Sequence, residues 1–93
     1  MSDKPFTRPQ MTEDEVNRGK ELLSMMLDER LEEKGWGAFV SSHEIFGIMQ
    51  EEWVELTEAI TLNRADRVVA ELIDIAVAAV FGAACIIAAK VDS

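Results

Sequence analysis

The longest uninterrupted apolar run in the sequence covers residues 75–89, fifteen positions in which alanine is the commonest residue. A helix that spans a bilayer needs about 20 apolar residues, mostly larger than alanine. The run therefore predicts a helix buried in protein, with no membrane as partner. Because a chain of 93 residues makes a thin core and this run is apolar on every side, we expect a second copy of the chain to cover part of it.

Three stretches begin with a helix-capping residue and contain no proline in their interior. We predict helices over residues 12–34, 43–62 and 63–90, with caps at Thr12, Ser41 and Asn63. The alternation of apolar and polar residues that marks half-buried strands is absent. The predicted class is all-α: an antiparallel bundle of three main helices, completed as a four-helix core by oligomerisation. Residues 1–11 are predicted as a flexible N-terminal arm before a single domain over residues 12–93.

The charge balance narrows the range of partners. With 18 acidic and 9 basic residues the net charge is −9, which disfavours nucleic acid and anionic membrane surfaces, since both attract positive charge. The single cysteine, Cys85, lies in the apolar run and cannot form an internal disulfide, so we expect a reducing, cytoplasmic location. The N-terminus contains no apolar segment typical of a signal peptide.

On the second predicted helix, one acidic residue falls where core residues are expected. Wound at about 100° per residue from Ile45, a helix places several apolar side chains within about 60° of it, namely Ile48, Met49, Leu56, Ala59 and Ile60. Glu52 falls in the middle of this arc, and Glu55 lies at its edge one turn later. Glu51 lies further toward solvent. A solvated helix face therefore does not explain Glu52.

The third predicted helix carries a second acidic pair, Glu71 and Asp74, on a face that is otherwise apolar. Carboxylates on a core-facing stripe are unfavourable unless they are paired or bound to metal. Arg64 and Arg67 are close enough in sequence to neutralise part of the charge. A divalent cation is the other candidate, and a set of oxygen ligands suits Mg²⁺ or Mn²⁺.

A di-iron centre is disfavoured because it needs glutamate and histidine three residues apart within a bundle. The only histidine, His43, has no acidic residue three positions before it.

The acidic residues occur in a recognisable order. The sequence Glu51-Glu52-Trp53-Val54-Glu55 is followed, after 15 residues, by Glu71-Leu72-Ile73-Asp74. This pattern resembles the EExxE and ExxD motifs of the MazG-like, all-α nucleoside triphosphate pyrophosphohydrolases. The resemblance covers about residues 35–87.

The resemblance implies a Mg²⁺-dependent hydrolase that cleaves between the α and β phosphates and releases a nucleoside monophosphate and pyrophosphate, as in nucleotide-pool house-cleaning. Glu52, Glu55, Glu71 and Asp74 would be the metal ligands. Glu51 would bind a second metal or orient the attacking water. All five would be catalytic residues. The chain lacks the additional helices that complete the site in dUTPase-like relatives, so a second subunit would supply that wall, in a homodimer or a tetramer.

Substrate-binding residues are less constrained by the sequence. Lys34, Arg64 and Arg67 lie near predicted helix ends, where they could contact phosphates, and Trp36 and Phe39 could stack on a base. Two alternatives to the hydrolase stay open. One is a non-catalytic helical oligomer that binds a nucleotide or a protein partner, and the other is a di-metal oxidoreductase.

Overall fold

The computed structural model describes residues 7–91, which form three helices: α1 (Glu13–Lys34), α2 (Ser42–Thr61) and α3 (Ala65–Ile87). No strand occurs in this range, and the all-α prediction is confirmed. Residues 1–6 and 92–93 lie outside the described range, so the predicted arm over residues 1–11 is described only in part. Residues 7–12 are not helical.

The first two helices begin at the predicted caps. At α1, the backbone N–H of Glu15 donates to Thr12 Oγ1 (3.1 Å) and the N–H of Thr12 donates to the Glu15 carboxylate (2.9 Å), which is a full capping box. A hydrogen bond from the Thr12 backbone to the Glu15 carboxylate, followed by one from the Thr12 side chain, holds the pKa of Glu15 below its ordinary value. At α2, Ser41 Oγ accepts from the N–H of Glu44 (3.2 Å). Gly35 ends α1 with a φ of 87°, as expected of glycine there.

The predicted cap at Asn63 is wrong, because this residue closes α2 and does not open α3. Its φ is 54°, in the left-handed region that asparagine tolerates better than most residues. The N–H of Asn63 donates to Ile60 O and that of Arg64 to Ala59 O, both at 3.1 Å. These two bonds form a Schellman motif at the end of α2. Arg64 is the N-cap of α3 and makes no side-chain capping bond.

Helices α2 and α3 form an antiparallel hairpin. Ile45 near the start of α2 lies against Gly82 near the end of α3, whereas Glu55 near the end of α2 lies beside Glu71 near the start of α3. A Cβ atom at Gly82 would come within 3.1 Å of Ile45 Cγ2, so the absence of a side chain lets the two helices approach closely. α1 packs against α3, while its backbone stays clear of α2.

The core of the described chain is thin. Its buried hydrophobic residues are Leu56 and Ala59 on α2 and Val77 and Cys85 on α3, and no residue of α1 is fully buried. Ile60, expected in the core arc of α2, is 56% exposed, which corrects that expectation. The physical reason is that α3 alone packs against α2, so the covered arc is narrower than one flanked by two helices.

One side of α3, here called the outer face, is apolar and open. It carries five large exposed hydrophobic residues, Val69, Leu72, Val80, Ile86 and Ile87. At about 100° per residue these side chains lie opposite the inner face that carries Asp74 and Cys85. By length and composition α3 could cross a membrane: its most apolar window has a mean hydropathy of 2.2, and 28% of that window is buried. Core helices of soluble proteins pass the same test of length and composition but are mostly buried, whereas most of this window is not buried in the single chain.

Candidate metal centre

Three glutamates converge between α2 and α3. Glu52 and Glu55 are one turn apart on α2, and Glu71 faces them from α3. Each offers a carboxylate oxygen, and these oxygens all lie within 4.8 Å of one another. Two oxygens on opposite sides of one Mg²⁺ lie about 4.2 Å apart, so small side-chain movements would bring all three to a single ion.

Two of the carboxylate oxygens at this point are buried without a partner. Glu52 Oε2 and Glu71 Oε2 accept no hydrogen bond from any described residue, and the side chain of Glu71 is only 12% exposed. Buried polar atoms are nearly always paired, so an orphaned carboxylate oxygen needs an explanation. A hard cation fits the donor set, since all three groups offer oxygen and none offers nitrogen or sulfur.

The pKa values of two of these glutamates indicate that negative charge exceeds positive charge at the site. Burial, followed by the charges of Asp74, Glu55 and Glu71, raises the pKa of Glu52 to about 7. Burial also raises the pKa of Glu71, with a further contribution from the neighbouring Glu55 carboxyl group. A cation bound here near neutral pH would therefore displace a proton from Glu52.

Asp74, the fourth predicted ligand, is paired with a residue that the sequence reasoning missed. Arg30 on α1 donates from Nη2 to Asp74 Oδ1 at 2.9 Å. A signal was present, because Arg30 falls within the apolar stripe of α1, between Met26 and Leu23 around the helix. Like Glu52, Arg30 is a charged residue at a helical position where an apolar residue is expected.

The two arginines expected to neutralise the cluster differ in position. Arg67 Nη2 lies 3.9 Å from Glu71 Oε1, at the long end of an ion pair, and offsets part of the Glu71 charge. Arg64 pairs instead with Asp66, at 3.7 Å. The structure therefore brings Arg67 to the site and directs Arg64 to a different partner.

A cleft of about 260 Å³ between α1, α2 and α3 adjoins the carboxylates. Of the predicted residues, Lys34, Phe39, Glu51, Glu52 and Asp74 line it.

Of the two aromatic residues predicted to stack on a base, Phe39 lies at the cleft and Trp36 does not. The ring of Phe39 packs edge to face on Phe81, with centroids 5.3 Å apart. Trp36 is 77% exposed and is not among the residues that line the cleft, so its predicted role receives no support from this position.

Comparison with known proteins adds no relatives: no protein-family model, curated protein or solved structure matches the chain. The resemblance to the MazG-like enzymes therefore stays a prediction that rests on the motifs themselves.

Proposed function

We propose that the chain is a Mg²⁺-dependent nucleoside triphosphate pyrophosphohydrolase, with Mn²⁺ as an alternative metal. The observation that carries the proposal is the group formed by Glu52, Glu55 and Glu71, in which two buried carboxylate oxygens lack a partner. The order of the acidic motifs, which resembles that of the MazG-like enzymes, supplies the reaction: cleavage between the α and β phosphates to give a monophosphate and pyrophosphate. Removal of damaged nucleotides is the role we infer.

The acidic residues would have different roles in the reaction. Glu52, Glu55 and Glu71 would hold the ion, with Asp74 as a further ligand beside them. When bound, the metal would neutralise phosphate charge and lower the pKa of a coordinated water. Glu51 lines the cleft next to Glu52, where its carboxylate would orient the attacking water. The pKa of Glu52, raised to about 7, means that metal binding near neutral pH would release a proton.

The remaining lining of the cleft suits a nucleotide. Lys34 would contact the phosphates as a cation, and Phe39, already packed on Phe81, would offer an aromatic surface to the base. Because the protein has a net charge of −9, an anionic substrate would need such local positive charge in addition to the metal.

We also propose a homodimer in which the outer face of α3 packs against its counterpart and completes a four-helix core, with a tetramer as the larger alternative. The support is the small buried core of the single chain and the row of exposed apolar residues on that face. No charged residue falls on the outer face between Val69 and Ile87, so two acidic chains could meet there without bringing like charges into direct contact. A cytoplasmic location agrees with a buried, unpaired Cys85.

Pyrophosphate release is the direct test. Purified protein would be incubated with Mg²⁺ and the standard and oxidised deoxynucleoside triphosphates, with Glu71→Gln as the inactive control. We expect one or more nucleotides to yield pyrophosphate and the matching monophosphate with the wild type only. Absence of product with every nucleotide, together with absence of Mg²⁺ binding, would remove the proposal.

The exposed apolar surface also favours a second candidate, a non-catalytic helical oligomer that binds a nucleotide or a partner protein. In that case calorimetry would detect nucleotide binding, or no binding, without turnover. Glu71→Gln would then leave the function of the protein unchanged.

A further inference from the structure

Arg30 lies where the cleft meets the carboxylates. It is one turn before Lys34 on α1, and both side chains line the cleft together with Glu52 and Asp74. Any anion that entered the cleft and approached Glu52 and Asp74 would therefore pass next to two cationic groups. The cleft has one acidic wall and one basic edge.

The pairing of Arg30 differs from that of the other arginines near the site. Its distance of 2.9 Å to Asp74 is that of a charge-assisted hydrogen bond, whereas Arg67 approaches Glu71 only to 3.9 Å. The pair joins α1 to α3 across 44 positions of sequence, and both side chains keep some contact with solvent, at 32% and 24% exposure. A solvent-accessible arginine of this kind can change partners without unfolding the chain.

Metal binding would disturb this pair. A divalent cation held by Glu52, Glu55 and Glu71 would repel the guanidinium of Arg30 and attract the carboxylate of Asp74. The guanidinium would then need a new anion, and its planar set of donors matches phosphate oxygens better than a lysine ammonium does.

We propose that Arg30 is a phosphate-binding residue that exchanges Asp74 for the substrate's phosphate oxygens when metal and triphosphate bind. The inference rests on the proposed metal site. In the metal-free protein Arg30 pairs with Asp74. When metal and substrate are bound, Asp74 faces the metal, and Arg30, with Lys34 one turn away, binds the polyphosphate. Arg30 thus competes with the metal for Asp74 and contributes to substrate binding.

A purely structural role makes a different prediction. If Arg30 only tethers α1 to α3, then its removal should loosen the cleft and weaken every ligand. The exchange predicts that Arg30→Gln has opposite effects on the two ligands. The metal binds more tightly because Asp74 is free to contact it, and phosphate binds more weakly because a hydrogen-bond donor is lost. The two roles are therefore separated by the sign of the change in metal affinity.

Calorimetry on the full chain, without turnover, tests the exchange. The probes are Mn²⁺ alone and then inorganic tripolyphosphate at saturating Mn²⁺, so that base recognition does not enter. Arg30→Gln is compared with Arg30→Lys, which keeps the charge, and with Arg18→Gln, which removes the same charge from an exposed position on α1 away from the cleft. Far-UV circular dichroism and melting verify that each variant is folded.

In Arg30→Gln we expect Mn²⁺ to bind several-fold more tightly and tripolyphosphate about ten- to a hundredfold more weakly, the loss expected of one hydrogen bond between charged groups. Arg30→Lys should lie between it and the wild type, and Arg18→Gln should match the wild type. Weaker binding of both probes by Arg30→Gln, or unchanged binding of tripolyphosphate, would overturn the exchange while leaving the metal site intact. A wild type that binds no Mn²⁺ would overturn the metal site and the exchange together.

Discussion

Replacing Glu52 by glutamine removes one of the mutually repelling charges between α2 and α3, and we expect the metal-free protein to become more stable as a result. Glu52 Oε2 is buried without a partner, whereas a glutamine amide at the same place would donate to the carboxylates of Glu55 or Glu71. The substitution keeps the size of the side chain, so packing against α3 should change little.

The magnitude follows from the pKa. Burial and the charges of Asp74, Glu55 and Glu71 raise the pKa of Glu52 from 4.5 to about 7, a difference that corresponds to about 3 kcal/mol between the two protonation states. Because the side chain is only half-buried, screening by solvent reduces the expected gain to about 1 to 2 kcal/mol. For a domain of this size such a gain raises the melting temperature by about 4 to 16 °C.

The sign depends on pH. The folded-state pKa of Glu52 lies above the unfolded value, so ionising this carboxylate favours unfolding. The penalty is absent below about pH 4.5, grows between about pH 4.5 and 7, and is complete above that range. Glu52→Gln should therefore be more stable than the wild type at about pH 8 and equal to it at about pH 4.

The assay is urea unfolding at fixed protein concentration with a chelator present, because both metal and subunit association would change the apparent stability. Glu58→Gln, an exposed glutamate on the same helix, is the matched control and should shift the free energy of unfolding by less than about 0.5 kcal/mol. If Glu52→Gln is less stable than the wild type at about pH 8 without metal, then repulsion between buried carboxylates is the wrong description of this site.

Three further outcomes are expected. Mg²⁺ should raise the melting temperature of the wild type, reversibly with chelator, and leave that of Glu71→Gln nearly unchanged. Thr12→Ala should lower the free energy of unfolding by about 1 kcal/mol through loss of the α1 cap, measured by urea unfolding, with no effect on metal affinity. Val80→Glu, on the outer face of α3, should convert the proposed homodimer to monomer in light scattering, while Val16→Glu on α1, equally exposed, should not. A wild type that is soluble only in detergent would instead indicate that α3 contacts a membrane.

The helices could be predicted from the sequence because their starts are local. Thr12 with Glu15 and Ser41 with Glu44 satisfy backbone N–H groups within four residues, and the structure contains these bonds. The cap predicted at Asn63 rested on an equally local signal and was wrong, since asparagine also suits the left-handed position after a helix. Which role it takes depends on where the preceding helix ends, and that is set by packing between α2 and α3.

Part of the candidate site could be predicted from helical phase. Glu52 stood out because it occupies an apolar arc, and the structure places it with Glu55 and Glu71. Arg30, which pairs with Asp74, was not predicted, because helical phase was considered for the acidic residues and not for the basic ones. Testing the phase of each basic residue of α1 would have identified it.

The spacing of the carboxylates depends on residues that carry no chemistry. Carboxylate oxygens of Glu55 and Glu71 lie within 4.8 Å of each other, and that spacing requires α2 and α3 to lie close together. At the other end of the hairpin Gly82 also permits a close approach, since a Cβ there would meet Ile45 at 3.1 Å, and Ala78, one turn before it, is a further small residue on the inner face of α3. Small residues that allow tight helix packing contribute little buried area of their own. Close packing of α2 and α3 brings the carboxylates together, but the small residues that allow it leave the core thin. A second copy of the chain that packed on the apolar outer face of α3 would add the buried area that the single chain lacks.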